Sequence, residues 1–449
     1  MQKRWIILFV ALLSISFLGL FYSGHEGVFT DIDSNLNFAD IAWMITATIF
    51  VLMMTPGLSF FYGGMVRSKN VISTMLQSFI AMGVISVIWV VVGFSLAFGE
   101  DVGHFIGNPG TFFMFVNVGG ATDKLLAPTI PLALYALFQM KFAIITPSLI
   151  TGSFAERVRF SGYLVFMILF CIFVYCPLAH WTWHPDGFLR QMGVLDFAGG
   201  IVVHASSGVA ALAGAIFLGR RKESGQPANI PFVLLRAAML WLGWFGFNAG
   251  SSLAANSIAV KAFLNTNTAS ATAMMTWVVF DCLRGRKPSA MGAAIGAVVG
   301  LVAITPSAGY VTVGESIFIA LVVTVICNMA VSWKNKKNSF DDALDVFPTH
   351  GVGGIVGTIM TGIFVYNATE NITYWQNLLN HIIAVVIVCG YTFIVTYALY
   401  WITDKMIPMR VSEKSEKIGL DMSQHDERYG IETNRELAEY FDHGVDTKS

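Results

Sequence analysis

Apolar stretches of about twenty residues, the length a helix needs to cross hydrocarbon, recur along this chain with short polar breaks between them. They fall near residues 39–62, 73–98, 129–152, 161–180, 197–219, 231–250, 262–283, 290–305, 313–333, 346–366 and 379–403. The pattern predicts an all-α membrane protein with eleven transmembrane helices. A further apolar run, MQKRWIILFVALLSISFLGLFYSG over residues 1–24, follows Lys3 and Arg4 and reads as a signal peptide, with an uncleaved extra helix as the alternative.

The polar breaks differ in charge. Those after the first, third, fifth, seventh and ninth spans carry Arg67 and Lys69; Arg157 and Arg159; Arg220, Arg221 and Lys222; Arg284, Arg286 and Lys287; and Lys334, Lys336 and Lys337. The alternate breaks carry only Lys124, Arg190 and Lys261. The positive-inside bias puts the first set in the cytoplasm of a multi-pass protein of the cell inner (plasma) membrane. The mature N-terminus is then outside and the tail from Asp404 inside.

Eleven spans also divide into two halves of five plus one helix, and an odd count per half inverts the second half in the membrane. The predicted organisation is a transmembrane domain over 38–404 and a polar cytoplasmic tail over 405–449. Within the domain, 38–219 forms a first repeat, 230–366 a second, inverted repeat, and 378–404 an eleventh helix. A short internal echo points the same way. HASSGVAALAG starts at His204 and HGVGGIVGTIM at His350, each His with a Gly four residues later (Gly208, Gly354) and an acid before it (Asp196, Asp345). Small residues at such spacing let helices approach closely.

Composition agrees with the spans. The chain is 55% hydrophobic and 12% charged, with mean hydropathy +0.66, which is far from a soluble globular domain. A net charge of −1 gives no footing for a nucleic-acid partner. The five cysteines have no metal-ligand spacing and read as small packed hydrophobes. Nothing in the chain resembles a nucleophile–base set, a cofactor loop or a metal site, so an enzyme is not expected.

The unusual chemistry lies inside the spans. His204 and His350 sit in the fifth and tenth, where an ionisable group marks a pathway more often than simple packing. Inverted halves would bring them together near the midplane, able to share a proton between Nδ1 atoms and to present their other nitrogens to a pore. Asp196 lies eight residues before His204, about 12 Å along a helix axis at 1.5 Å per residue. That is too far to pair with it, so Asp196 reads as a carboxylate capping free backbone N–H groups and favouring a cation nearby. ALFQMKFA (136–143), AHWTWHPDG (179–187) and GWFGFNAGSS (243–252) gather aromatics toward the outer side. Aromatic faces bind small cations, and the Ser251 hydroxyl can accept a hydrogen bond from a cation that has N–H groups, which potassium lacks.

TPGLSFFYGGMVRSKN, SFAERVRF, LDFAGGIVVH, GWFGFNAGS, DVFPTHGVGGIVG and the GLD from Gly419 occur in that order between about 38 and 430. In these motifs the chain resembles the ammonium transporter family, the group of Amt, Mep and Rhesus proteins, and its bacterial Amt branch in particular. The resemblance implies a homotrimer with one narrow pore per subunit. It implies that Phe138, Trp183, Ser251 and Asp196 form the ammonium-binding site, that Phe142 and Phe247 are a stacked gate, and that His204 and His350 are the twin pore histidines. The tail is similar to a segment through which PII-type regulators act. Two features depart from the family pattern. Trp183 lies one residue further from the acid than expected, and Lys141 stands beside the gate in place of a small or polar residue. A cation there would repel ammonium, so Lys141 is expected to face away and snorkel toward the headgroups.

The function implied is capture and deprotonation of ammonium and conduction of ammonia, with a proton route that would make uptake electrogenic. Two other readings stay open: an ammonium sensor signalling through its tail, and a passive ammonia channel.

Overall fold

The computed structural model describes residues 2–21, 35–337, 339–365 and 372–430, with side chains in the first segment from Trp5. Helix starts follow simple chemistry. A side-chain oxygen of Asn37 opens α2 (Phe38–Met65), Asn229 opens α8 (Ile230–Gly250), Asn256 opens α9 (Ser257–Leu283), Ser289 opens α10 (Ala290–Ile304) and Thr373 opens α13 (Tyr374–Met406). Each accepts a first-turn N–H that has no partner within the helix. Between these lie α3 (Val71–Ile88), α4 (Leu132–Ile150), α5 (Phe160–Phe170), α6 (Cys176–Trp183), α7 (Ser206–Leu218), α11 (Val313–Lys337) and α12 (Val352–Phe364). Before all of them runs α1 (Gln2–Gly19), whose apolar side chains from Trp5 onward are largely exposed. The proposed signal segment extends past α1 into residues 22–24, outside the described residues.

All eleven predicted spans overlap helical structure among the described residues; residue 366, the last of the tenth span, lies outside them. Eight helical stretches among the described residues are long and apolar enough to cross a membrane: Phe38–Met65, Ser68–Phe98, Leu132–Ile150, Phe160–Gln191, Gly200–Leu218, Ile230–Gly250, Val313–Lys337 and Tyr374–Met406. The spans expected at 262–283, 290–305 and 346–366 fall short of that combined criterion. Helix α9 is long but interrupted by Lys261, Asn265, Asn267 and Asp281, and α10 has only 15 residues. In the third case a turn of π-helix, Phe347–Gly351, precedes the 13 residues of α12. A second π-turn, Gly200–Ala205, leads into α7.

Those two π-turns carry His204 and His350, and they pack against each other. A Cβ on Gly208 would collide with the backbone of Gly351, and a Cβ on Gly354 would lie 2.5 Å from the Gly200 oxygen and 2.7 Å from the Ala205 nitrogen. The contacts are reciprocal: the glycine four residues after each histidine meets the residue just after the other. Only hydrogen in place of a side chain allows this approach. Single π-turns inside α-helices are costly and gather at functional sites.

One end of the bundle is held by buried charge. Glu156 accepts from Arg67 and Arg221, both at 2.9 Å, and Arg221 also grips Asp341 at 2.8 Å. Burial would raise the Glu156 carboxyl, but Arg67 and Arg221 hold it below its ordinary value. Asp341, similarly buried, is drawn down to about 2 by the Arg221 fork and Arg157. The tail docks here through α14 (Glu413–Ile418) and α15 (Leu420–His425). Asp421 accepts the Ile72 and Ser73 N–H groups at the start of α3, and the Leu420 N–H donates to Asn70.

Candidate functional site

The turn before α7 places Asp196. Its carboxylate accepts four consecutive backbone N–H groups: Gly199 at 2.9 Å and Gly200 at 2.6 Å on one oxygen, Ile201 at 2.9 Å and Val202 at 3.2 Å on the other. It has no cationic side-chain partner among the described residues; the positive end of the π-turn and α7 stabilises it instead. The Asp196 carbonyl accepts the indole N–H of Trp183 at 3.0 Å. Trp183 stands edge-on to Phe142, ring centroids 5.8 Å apart. Phe138 meets Phe142 from the other side at 4.9 Å, and Phe142 stacks on Phe247 at 4.2 Å and 26°. Trp181, the neighbouring tryptophan, is turned elsewhere: its N–H donates to the Phe105 carbonyl at 2.7 Å.

Helix α8 contributes the rest of this wall. Its small residues Gly243, Gly246 and Gly250 lie against α2, and Gly250 also faces the Phe138 ring. The next residue, Ser251, donates its hydroxyl hydrogen to the Phe247 carbonyl at 2.9 Å, which leaves its oxygen lone pairs as acceptors.

Beneath the stacked phenyl rings lies a cavity lined by His204, His350, Trp244, Phe247 and the aliphatic side chains of Met54, Leu58, Ile145, Leu149, Leu240 and Val298, with Phe61. The histidines face each other at Nδ1···Nδ1 3.3 Å. One Nδ1 donates and the other accepts, so a neutral pair is satisfied and the roles can exchange. The Nε2 of His204 has no hydrogen-bond partner. With the hydrogen on the His204 Nδ1 this buried nitrogen is an acceptor that an N–H-bearing solute can use; in the exchanged arrangement it is a donor.

The structure thus brings Phe138, Phe142, Trp183 and Phe247 into one aromatic group, with Asp196 and Ser251 bonded to its members and the histidine pair below. Three readings of the sequence need correction or addition. The acid equivalent to Asp196 is Asp342, not Asp345. Asp342 lies eight residues before His350, and its carboxylate caps the Val346 and Phe347 N–H groups at 3.1 and 2.8 Å. Asp345 instead pairs with Lys334 at 2.6 Å. The eight-residue spacing of Asp196 and His204 was the available signal. Lys141 does not snorkel outward: it is only 8% exposed, with its ammonium 3.8 Å from the Met140 sulfur. It does not line the cavity. Its stem is enclosed within the bundle. Trp244, unremarked in the sequence, stacks on His204 at 5.2 Å and donates its N–H to Thr305 at 2.9 Å. It lies three residues before Phe247, on the same helix face.

Comparisons with known proteins give the family. The family model described as Ammonium Transporter Family matches residues 42–429. An ammonium transporter of Aquifex aeolicus is 41% identical over 422 residues, covering 92% of this chain and 99% of that one. Among solved structures, Mep2 of Candida albicans superposes with a TM-score of 0.81 at 34% identity, covering 93% of this chain and 94% of that one. A structure titled Sensor Amt Protein superposes at 0.80 with 30% identity, covering 86% and 98%. A multi-pass membrane chain matched over nearly its whole length in this way belongs to the ammonium transporter family.

Proposed function

We propose that this transporter captures ammonium between Phe138, Trp183 and Ser251, strips its water at the Phe142–Phe247 gate, and passes ammonia along the His204–His350 pair. The observation that carries the reading is the apolar-walled cavity whose polar edge is the imidazole pair, with the His204 Nε2 unpartnered. Magnitudes decide which species crosses. A cation–π cage returns about 2 kcal/mol when desolvated, whereas removing a small cation from water costs several kcal/mol even after relaxation. The cage can therefore hold ammonium at the mouth but cannot offset its passage through hydrocarbon. Loss of a proton removes that cost, and Asp196, negative and beside the cage, favours the cation before that step. The imidazole pair offers the proton its own route, which would make uptake electrogenic.

Orientation follows the basic loops: the aromatic mouth outside, the ion-paired end and tail in the cytoplasm of the inner membrane. The family resemblance extends the proposal to a homotrimer, to the two inverted repeats and to a PII-type regulator at the docked tail. The relatives are named as transporters, not enzymes, and the chemistry proposed needs no cofactor.

Reconstituted protein on a solid-supported membrane tests this. Ammonium is expected to evoke current, methylammonium less and potassium none. His204→Ala is expected to cut the ammonium current about tenfold or more, about 1.4 kcal/mol of barrier, or to admit potassium. Unchanged flux and discrimination in that variant would remove the histidines from the mechanism. The similarity to a sensor Amt protein supports a second reading, an ammonium sensor. Rescue of a transport-deficient strain on low ammonium separates the two.

Tail docking gives a pH test. Burial pushes the Asp421 carboxyl up to about 6 despite the N–H groups of Ser73 and Ile72. Docking then binds a proton that the free tail, with an ordinary aspartate near 3.9, does not. Its contribution is full below that value and is lost as pH rises through about 6. Burial lowers His425 on the same helix, so its share works oppositely, falling away as pH drops below the ordinary imidazole value. In a His425→Gln background, amide protection of the tail is therefore expected to be greater at about pH 5.5 than at about pH 7.5. Adding Asp421→Asn should flatten the difference. Equal protection at both pH values in the single variant would contradict it.

A further inference from the structure

A further buried histidine, His381, does not line the cavity. It lies in the second turn of α13, fully enclosed, and both its ring nitrogens are committed to backbone groups. Nδ1 lies 2.8 Å from the Asn377 carbonyl, which can only accept. Nε2 lies 3.1 Å from the Leu195 nitrogen, which can only donate. These partners permit one state, the neutral ring with its hydrogen on Nδ1 and its lone pair on Nε2. A second proton would set an N–H against an N–H.

What Nε2 holds is the residue before Asp196. From that junction the Asp196 carbonyl runs to Trp183 and its carboxylate to the four N–H groups that start the His204 turn. The same α13 turn fixes the preceding segment again, Asn380 donating to the Met192 carbonyl at 2.7 Å. Asn377 is itself held by the Gly362 carbonyl at 2.8 Å, and a Cβ on Gly362 would come within 2.9 Å of His381. The clamp is therefore packed from α12 as well.

We propose that His381 is a positioning residue for ammonium capture: as the neutral Nδ1–H tautomer it holds the Leu195–Asp196 junction, and a proton on Nε2 releases it. The proposal rests on the roles given above to Asp196 and Trp183. The elements packed against His381 bring few other ionisable groups. The α12 segment Val352–Phe364 has no ionisable side chain. The clamped segment brings Asp196, already saturated by N–H groups, and Arg190. Arg190 and Asp196 both lie within electrostatic reach of Tyr310 from the turn after α10, and Tyr374 stands at the start of α13 itself. The Nε2 lone pair is taken up by the Leu195 N–H, so a proton added there meets a donor and no acceptor among the bonds that His381 makes.

The test measures ammonium-evoked current in full-length protein against ammonium concentration at outer pH values from about 7.5 to about 5, a window spanning the ordinary imidazole value in which ammonium itself stays protonated. In wild type the half-saturating concentration is expected to rise about threefold to tenfold across the window, the worth of one hydrogen bond to a buried N–H, with less effect on maximal current. His381→Leu is expected to show the raised value at every pH. His381→Gln, which offers a donor and an acceptor but does not titrate, should restore the lower value and hold it flat. Thermal melting of each purified variant separates misfolding from repositioning. If His381→Leu does not fold, the comparison of His381→Gln with wild type decides alone. Identical pH profiles in those two proteins would overturn the proposal. Asp196→Asn, run in parallel, separates the layers: if it transports like wild type, the site reading fails first. If it is impaired while both His381 variants match wild type, only the present inference fails.

Discussion

Asp196→Ala is expected to abolish ammonium-evoked current. The carboxylate is the sole described partner of four buried N–H groups, at 2.6 to 3.2 Å. Each buried donor left unpaired costs about 1–3 kcal/mol. Even with half of that recovered by relaxation, about 2 kcal/mol or more remains, above the 1.36 kcal/mol that makes a tenfold change. The turn would be expected to reopen in preference to keeping its geometry, carrying Trp183 and His204 with it. Asp196→Asn sharpens the interpretation. Its amide oxygen can still accept from one N–H pair, so the turn should survive in part while the charge is gone. Folding followed by detergent size-exclusion and current followed on supported membranes should then diverge: a folded Asn variant with little current assigns the effect to charge. An Ala variant with wild-type current would show that the four-fold cap contributes nothing to transport.

Much of this arrangement was legible in one dimension because the membrane simplifies the code. Hydrocarbon demands long apolar helices, so their positions follow from composition, and a polar residue inside one stands out. His204 and His350 were visible for that reason, whereas the Phe142–Phe247 pair came from the family resemblance. What escaped depends on which helix faces which. His381 sits near a span end, where an imidazole is unremarkable until Leu195 is seen to point its N–H at it. Asp342 and Asp345 are both acids shortly before a histidine, and only the turn geometry shows which one caps it. Lys141 was expected at the lipid surface because a lysine stem can usually reach it. Its helix is buried on nearly every side, which charge counting along the sequence does not reveal. The polar α9 and short α10 show the same limit, since their burial is arranged by neighbours.

Gly208→Ala is expected to be among the most damaging single added methyl groups at the described glycines. The added Cβ would overlap the Gly351 backbone, and unlike a flexible side chain that backbone cannot rotate away. Overpacking by a methylene in a core that can adjust costs about 1–3 kcal/mol; here the obstacle is the π-turn that carries His350, so the cost should lie at the upper end or beyond. The relief available is for the two π-turns to part. The histidine Nδ1 atoms stand 3.3 Å apart, and a few tenths of an ångström takes them out of hydrogen-bonding range. Stability and transport should therefore fall together: a lowered melting temperature, and current near background. Gly354→Ala, the reciprocal contact, should behave alike, its Cβ 2.5 Å from the Gly200 oxygen and 3.0 Å from the His204 Cβ. Gly83→Ala and Gly390→Ala supply the control, because a Cβ at either meets nothing within 4 Å. In a helix interior these changes should instead stabilise by about 0.5–1 kcal/mol. If all four variants melt and transport like wild type, the helices can separate at their crossing without cost, and the spacing of the imidazole pair is set by something other than the glycines.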